Sequence, residues 1–223
     1  VEDRVEAFEP QVQALYLYDP AKARAQAAAS TDRWMRGETQ GVLDGIPVTI
    51  KELIATAGDP VPLGTAAVDL VAASADAPAA ARLREDGAVI FAKTTCPDFG
   101  MLSSGLSSFH PLSRNPWDLA KNPGGSSAGA ASAAAAGFGP LHIGTDIGGS
   151  VRLPAGWTGL FGFKPSHGRI PVHPYYLGRC AGPMTRTVED AAMAMATLSR
   201  PDWRDDTALP PNTLDWLDFT IDL

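Results

Sequence analysis

An α/β sandwich is the fold class that the sequence predicts, and three observations predict it. Short runs of apolar, often β-branched residues alternate with segments of good helix formers, the pattern of buried strands covered by helices. In 223 residues the hydrophobic fraction is 45% and the charged fraction 19%, the balance of a globular chain large enough to bury a core. Two glycine-rich turns, at 124–127 and 144–150, flank one alanine-rich segment. The alternation is therefore interrupted where backbone N–H groups become available.

The elements follow in chain order. Asp19 to Arg36 is rich in Ala, Arg and Gln and ends at Gly37, which predicts a surface helix with a glycine stop. Gly45-Ile46-Pro47-Val48-Thr49-Ile50 reads as a buried strand that delivers Lys51 at its end. Ala77 to Asp86 is helical, Gly87 breaks it, and Ala88-Val89-Ile90-Phe91-Ala92 is a second buried strand. From Gly100 to Asn122, Ser, Pro, Asn and Gly dominate, so a long irregular loop is expected, and such loops in compact domains are usually functional. Gly124-Gly125-Ser126-Ser127 opens an alanine helix to about Gly137, followed by the short strand Leu141-His142-Ile143 and the second turn, Gly144 to Ser150. Thr187 to Leu198 is an amphipathic helix with Thr187 and Asp190 in capping-box spacing. The Pro- and Asp-rich stretch 201–223 reads as a linker, which makes 1–200 the core.

Composition excludes several function classes. A net charge of −7 spread along the chain leaves no basic stripe to neutralise phosphates, so nucleic acid is not expected as a partner. No run of about 18 uncharged apolar residues exists, so no membrane association is expected. Val1 to Arg4 carry charge where a secretory signal would be apolar. Cys96 and Cys180 stand far apart without CxxC spacing, which fits a reducing, cytoplasmic location and two buried small hydrophobes.

Each glycine turn could present N–H groups to an anion. The nucleotide fingerprints GxxxxGK[ST] and GxGxxG are missing, whereas the same array can stabilise the oxyanion of acyl transfer with Ser150 as nucleophile. A serine needs a base. His110, His142, His167 and His173 sit in unrelated contexts, and the GxSxG and SxxK patterns are absent. Lys51 carries charge to the end of a buried strand, where charge is expensive. A lysine reaching from the strand end to solvent is the other reading, and spacing leaves both open.

Five segments together resemble the amidase-signature family: Gly45 to Glu52, Arg114-Asn115-Pro116-Trp117-Asp118, Pro123 to Gly129, Gly144 to Arg152, and Gly162-Phe163-Lys164-Pro165-Ser166. The likeness runs from about Gly41 to Leu198, with the motifs in the family's order and spacing. It implies an α/β/α sandwich with a mixed central sheet. It also implies a triad of Ser150 as nucleophile, Ser126 as bridging serine after a cis Gly125-Ser126 bond, and Lys51 as terminal base. The N–H groups of Ile147, Gly148, Gly149 and Ser150 would form the oxyanion hole, with Ser127, Thr145 and Asp146 holding the two turns together. Arg152 matches a position that meets a substrate carboxylate in some members; a structural ion pair is the alternative. The lysine role demands a pKa well below about 10.4, which burial can supply.

The implied function is hydrolysis of a small-molecule carboxamide without metal or organic cofactor. The alternatives are the amidase subunit of a tRNA-dependent amidotransferase and a non-catalytic scaffold. The sequence departs from the family at Ala128, where many members have glycine, and in length, since members are roughly twice as long. The expectation is therefore a fold incomplete in this chain, 201–223 leading to a missing C-terminal half. An exposed sheet edge would favour association, with a homodimer as one candidate assembly.

Overall fold

The computed structural model describes residues 1–211 and 214–218. Helix α1 (Glu2–Val12), strand β1 (Leu15–Tyr16), helix α2 (Pro20–Arg36), strand β2 (Pro47–Lys51), helix α3 (Pro78–Glu85) and strand β3 (Val89–Thr94) come first. Helix α4 (Ala128–Ala136), strand β4 (Leu141–Asp146), helix α5 (Arg152–Thr158), strands β5 (Phe161–Gly162) and β6 (Cys180–Thr185) and helix α6 (Val188–Leu198) complete the order. The six strands form one sheet in the order β1-β3-β2-β4-β6-β5. β2 runs parallel to both β3 and β4, and every other pairing is antiparallel. The predicted α/β class and mixed sheet are what the structure shows.

Strand periodicity places the helices on two faces. In β3, Val89 and Phe91 pack with Val5, Val12 and Ala133 of α1 and α4. Ile90 points the other way and joins Val48, Ile50, Leu83 and Leu198, so α3 and α6 cover that face. Successive side chains of a strand alternate faces, and full burial of each such aliphatic side chain contributes roughly 1.5–3 kcal/mol. Helix α4 contains nothing larger than Ala or Ser and is almost wholly buried. It lies against β2, β3, β4, α1 and α5, and small side chains let all of them approach.

Local chemistry explains the predicted elements. The Asp19 side chain accepts from Lys22 N at 3.0 Å and starts α2, whose only buried residue is Ser30. Thr187 caps α6 by accepting from Asp190 N at 3.1 Å. No helix or strand longer than a single 3₁₀ turn lies between Gly100 and Asn122, as the composition suggested. Strands β1, β5 and β6 and helix α5 had no counterpart in the sequence reading. β1 and β5, with two residues each, are the sheet edges.

Several residues of the segment read as a linker are held against the core, while Trp203, Leu214 and Leu217 are exposed. Asp202 is buried and accepts from Arg82 Nη2 at 3.2 Å and Arg204 Nε at 2.8 Å. Asp205 accepts from Val172 N at 2.8 Å. Trp216 lies against the α3–α6 cluster and donates to Ser199 Oγ at 3.0 Å. Buried carboxylates require such partners, which ties residues 202–205 in place. The rest of that span, 212–213 and 219–223, lies outside the described residues. Among the described residues no helix is long and apolar enough to cross a membrane.

Candidate active site

Strand β2 ends on Lys51, between β3 and β4, and leaves the lysine with no exposed surface. Its Nζ donates to Ser126 Oγ at 2.7 Å and to Thr145 Oγ1 at 3.0 Å. Burial pushes the Lys51 ammonium down to about 8; Cys96 and Glu52 oppose that shift and Arg179 adds to it. Between a lysine at a strand end reaching solvent and one turned inward, the side chain is turned inward.

Ser126 stands just before α4, and the Gly125-Ser126 peptide bond is cis. The backbone of the 100–122 loop passes close over this turn: a Cβ on Gly125 would lie 2.4 Å from Ser104 O. From the other side, Gly100 adopts φ +66°, and a Cβ there would lie 2.8 Å from Leu53 Cδ1 and 3.4 Å from Ser126 Oγ. Glycine is the residue that fits both the left-handed backbone and the gap.

Asp146 ends β4 and organises the second turn. Its carboxylate accepts from Gly149 N at 2.8 Å, Val151 N at 3.0 Å and Arg152 N at 3.3 Å, and from Arg152 Nε at 3.0 Å and Nη2 at 2.9 Å. Burial alone would raise its pKa, but the Arg152 guanidinium and the three N–H groups hold it down at about 2. Arg152 is thus the ion-pair partner of Asp146 and does not line the cavity beside the serines.

The oxyanion-hole expectation needs correction at Gly149. Its N–H is already donated to Asp146, so it is not available to an oxyanion. The N–H groups of Ile147, Gly148 and Ser150 have no intramolecular acceptor among the described residues. Ser127 ties the two turns together: its N–H donates to Ser150 O at 3.1 Å, and its Oγ accepts from Thr145 N at 3.2 Å.

Ser150, Ser126 and Thr145 line one cavity of about 760 Å³ with Ile147 and Gly148, walled by Leu53, Leu63 and Phe99. Ser150, which lines this space, makes no side-chain hydrogen bond to Ser126 or to any other described residue. Gly100 also lines the cavity, as do Leu53, Tyr176 and Arg179, which sequence reasoning missed; these three come from loops without a pattern of their own. That reasoning also missed a buried cluster beside Lys51, in which Cys96 Sγ lies 3.0 Å and His110 Nε2 3.6 Å from Glu52 Oε1. Burial, then Glu52, raises the Cys96 thiol well above its usual pKa. Cys96 is therefore a neutral, buried side chain. His142 is buried between Thr49 and Gly139 O. His167 lies 3.5 Å from Thr207 Oγ1, and His173 precedes a cis proline. Among the described residues no group of three or more His, Cys, Asp or Glu is placed to hold a metal ion.

The model of the family described as Amidase matches residues 1–219. The chain belongs to the amidase-signature family. A glutamyl-tRNA(Gln) amidotransferase subunit from Chloroflexus aggregans is 39% identical over 217 residues, which are 96% of this chain and 44% of that protein. Among solved structures, a bacterial aryl acylamidase belonging to the amidase-signature enzymes shares 36% identity at a TM-score of 0.89, over 97% of this chain and 46% of its own. Peptide amidase from Stenotrophomonas maltophilia matches at a TM-score of 0.89 and 30% identity, over 97% and 47%. The chain spans about half the length of these amidase-signature relatives. Within that half lie both glycine turns and Lys51.

Proposed function

We propose that the whole protein cleaves a carboxamide C–N bond through an acyl-enzyme, with Ser150 as nucleophile, Ser126 as relay and Lys51 as terminal base. One observation carries the reading: a lysine with no exposed surface donates to Ser126 Oγ at 2.7 Å, at the wall of the cavity that Ser150 lines. Uncharged Lys51 accepts the Ser126 proton while Ser126 takes the proton of Ser150, and Ser150 Oγ bonds to the amide carbon. The oxyanion meets the N–H groups of Ile147, Gly148 and Ser150. The proton returns through Ser126 to the leaving nitrogen, the C–N bond breaks, and water repeats the cycle to release the acid. The Ser126–Ser150 hydrogen bond forms as substrate docks, since catalytic hydrogen bonds often tighten only in the complex.

The test is covalent labelling of the whole protein with a fluorophosphonate, read by mass spectrometry. Label on Ser150, lost in Ser150→Ala and Lys51→Met together with amide turnover, supports the acyl-enzyme. Full turnover by Ser150→Ala removes it.

A second reading is favoured by the relatives named as glutamyl-tRNA(Gln) amidotransferase subunits. In it the same serine opens an amide, and the released ammonia passes to a partner protein. Co-purification with stable partners and glutaminase activity would select it. A glutamine-inert protein that purifies alone excludes it.

A further inference from the structure

Arg179 precedes β6 on the loop that follows the cis His173-Pro174 bond, and its guanidinium stacks on Tyr176 with Cζ 4.6 Å from the ring centroid. Both side chains line the cavity that holds Ser126 and Ser150. Arg33, Arg82, Arg152, Arg200 and Arg204, all exposed or half-buried, each meet an aspartate within 4.0 Å. Half-buried Arg179 meets none: among the described residues its side chain has neither an ion-pair partner nor a hydrogen-bond acceptor. A guanidinium stays charged and presents a planar fork of N–H donors matched to a carboxylate, and no Arg179 nitrogen is among the buried polar atoms left without a partner, so its donors remain accessible. The cation is close enough to push the Lys51 amine down. The nearby walls, Leu53, Leu63, Phe99, Met101, Leu102 and Ile147, are apolar.

We infer that Arg179, backed by Tyr176, is an anion subsite of this cavity, and that the substrates are amides bearing a carboxylate separated from the scissile group by an apolar spacer. The inference rests on the acyl-enzyme reading for turnover but not for binding, and the experiment separates the two. In the whole protein carrying Ser150→Ala, glutarate and its dimethyl ester are titrated by calorimetry, with and without Arg179→Gln or Arg179→Lys. Glutarate binds, its diester binds more weakly, Arg179→Gln weakens glutarate by ~10- to 100-fold, and Arg179→Lys loses less. With active enzyme, the ratio of kcat/KM for glutaramate over its methyl ester exceeds ~10 and falls toward one in Arg179→Gln. Thermal melting confirms that each variant folds. Equal binding of diacid and diester, or equal loss of both in Arg179→Gln, overturns the subsite while Ser150 labelling still reports on the acyl-enzyme. Glutarate binding without Ser150 labelling would sink the chemistry and keep the subsite.

Discussion

Lys51 Nζ reaches Ser126 Oγ at 2.7 Å from a position with no exposed surface. The hydrogen bond could form with either partner donating, so its direction follows the charge of the amine. Burial makes the uncharged form accessible near neutrality, with a pKa of about 8. As the proposed base, Lys51 has to be uncharged to accept a proton. Below about pH 8 it is mostly occupied, so kcat/KM should rise with pH through about 8 and level off above it. Lys51→Met should lower kcat by ~10³-fold or more, and Lys51→Arg should do no better because arginine does not deprotonate. A pH profile flat from 6 to 9 would contradict the assignment.

Gly100→Ala tests how tightly the loop is set over the amine. The new methyl would lie 2.8 Å from Leu53 Cδ1, 3.4 Å from Ser126 Oγ and 3.9 Å from Lys51 Nζ, at a φ of +66°. The backbone conformation alone costs roughly 1–2 kcal/mol for a residue with a Cβ. Displacement of Ser126 should cost more in rate than in stability, ~10- to 100-fold in kcat. Thermal melts and steady-state kinetics on the same sample separate the two. A variant that loses stability but keeps its kcat would show that the loop does not position the serine.

What the sequence made legible follows from how local each signal is. α2 is bracketed by its own cap, Asp19, and its own stop, Gly37. β2 is a β-branched run whose last residue is the lysine. β6 contains Gly182 and Pro183, and α5 contains Pro154 and Gly156. Their own propensities argue against the structure they adopt, and pairing with β4 and packing against α4 override them. In the site, the glycine turns announce themselves, but the pairing of His110 with Glu52 joins a loop to a strand end far away in sequence. Gly149 shows the limit of motif reading. A glycine in the turn suggests a free N–H, and only the position of the Asp146 carboxylate reveals that it is taken.

Asp146 and Arg152 should separate in mutagenesis. The Asp146 side chain is fully buried, while Arg152 is 53% exposed, so the two partners differ in what their loss uncovers. Asp146→Asn leaves one acceptor for three N–H groups and a guanidinium, at roughly 3 kcal/mol, and should disorder the turn that carries Ser150. Arg152→Gln removes a pair screened by solvent and should cost about 1 kcal/mol with little change in KM. Urea unfolding and KM for the two variants decide. If Arg152→Gln raises KM without lowering stability, Arg152 is a substrate contact.

His142 should make stability fall on the acid side. The ring is fully buried, with Nε2 donating to Gly139 O at 3.2 Å and Nδ1 accepting from Thr49 Oγ1 at 2.8 Å. Burial is the main cause that lowers its pKa from 6.5 to about 4. Because the folded-state value is the lower one, the unfolded chain takes up the proton first as pH drops. The stabilisation is complete above about pH 6.5, decreases as pH falls towards 4, and is lost once pH has passed below the folded pKa. The full loss is about 3 kcal/mol. His142→Gln keeps an N–H for the Gly139 carbonyl and an oxygen for the Thr49 hydroxyl but cannot titrate. Urea midpoints at pH 7, 5.5 and 4.5 should therefore separate wild type from variant progressively, with the variant losing less. Parallel curves would mean that the ring can be protonated in place, with the Thr49 hydroxyl turned to accept from Nδ1.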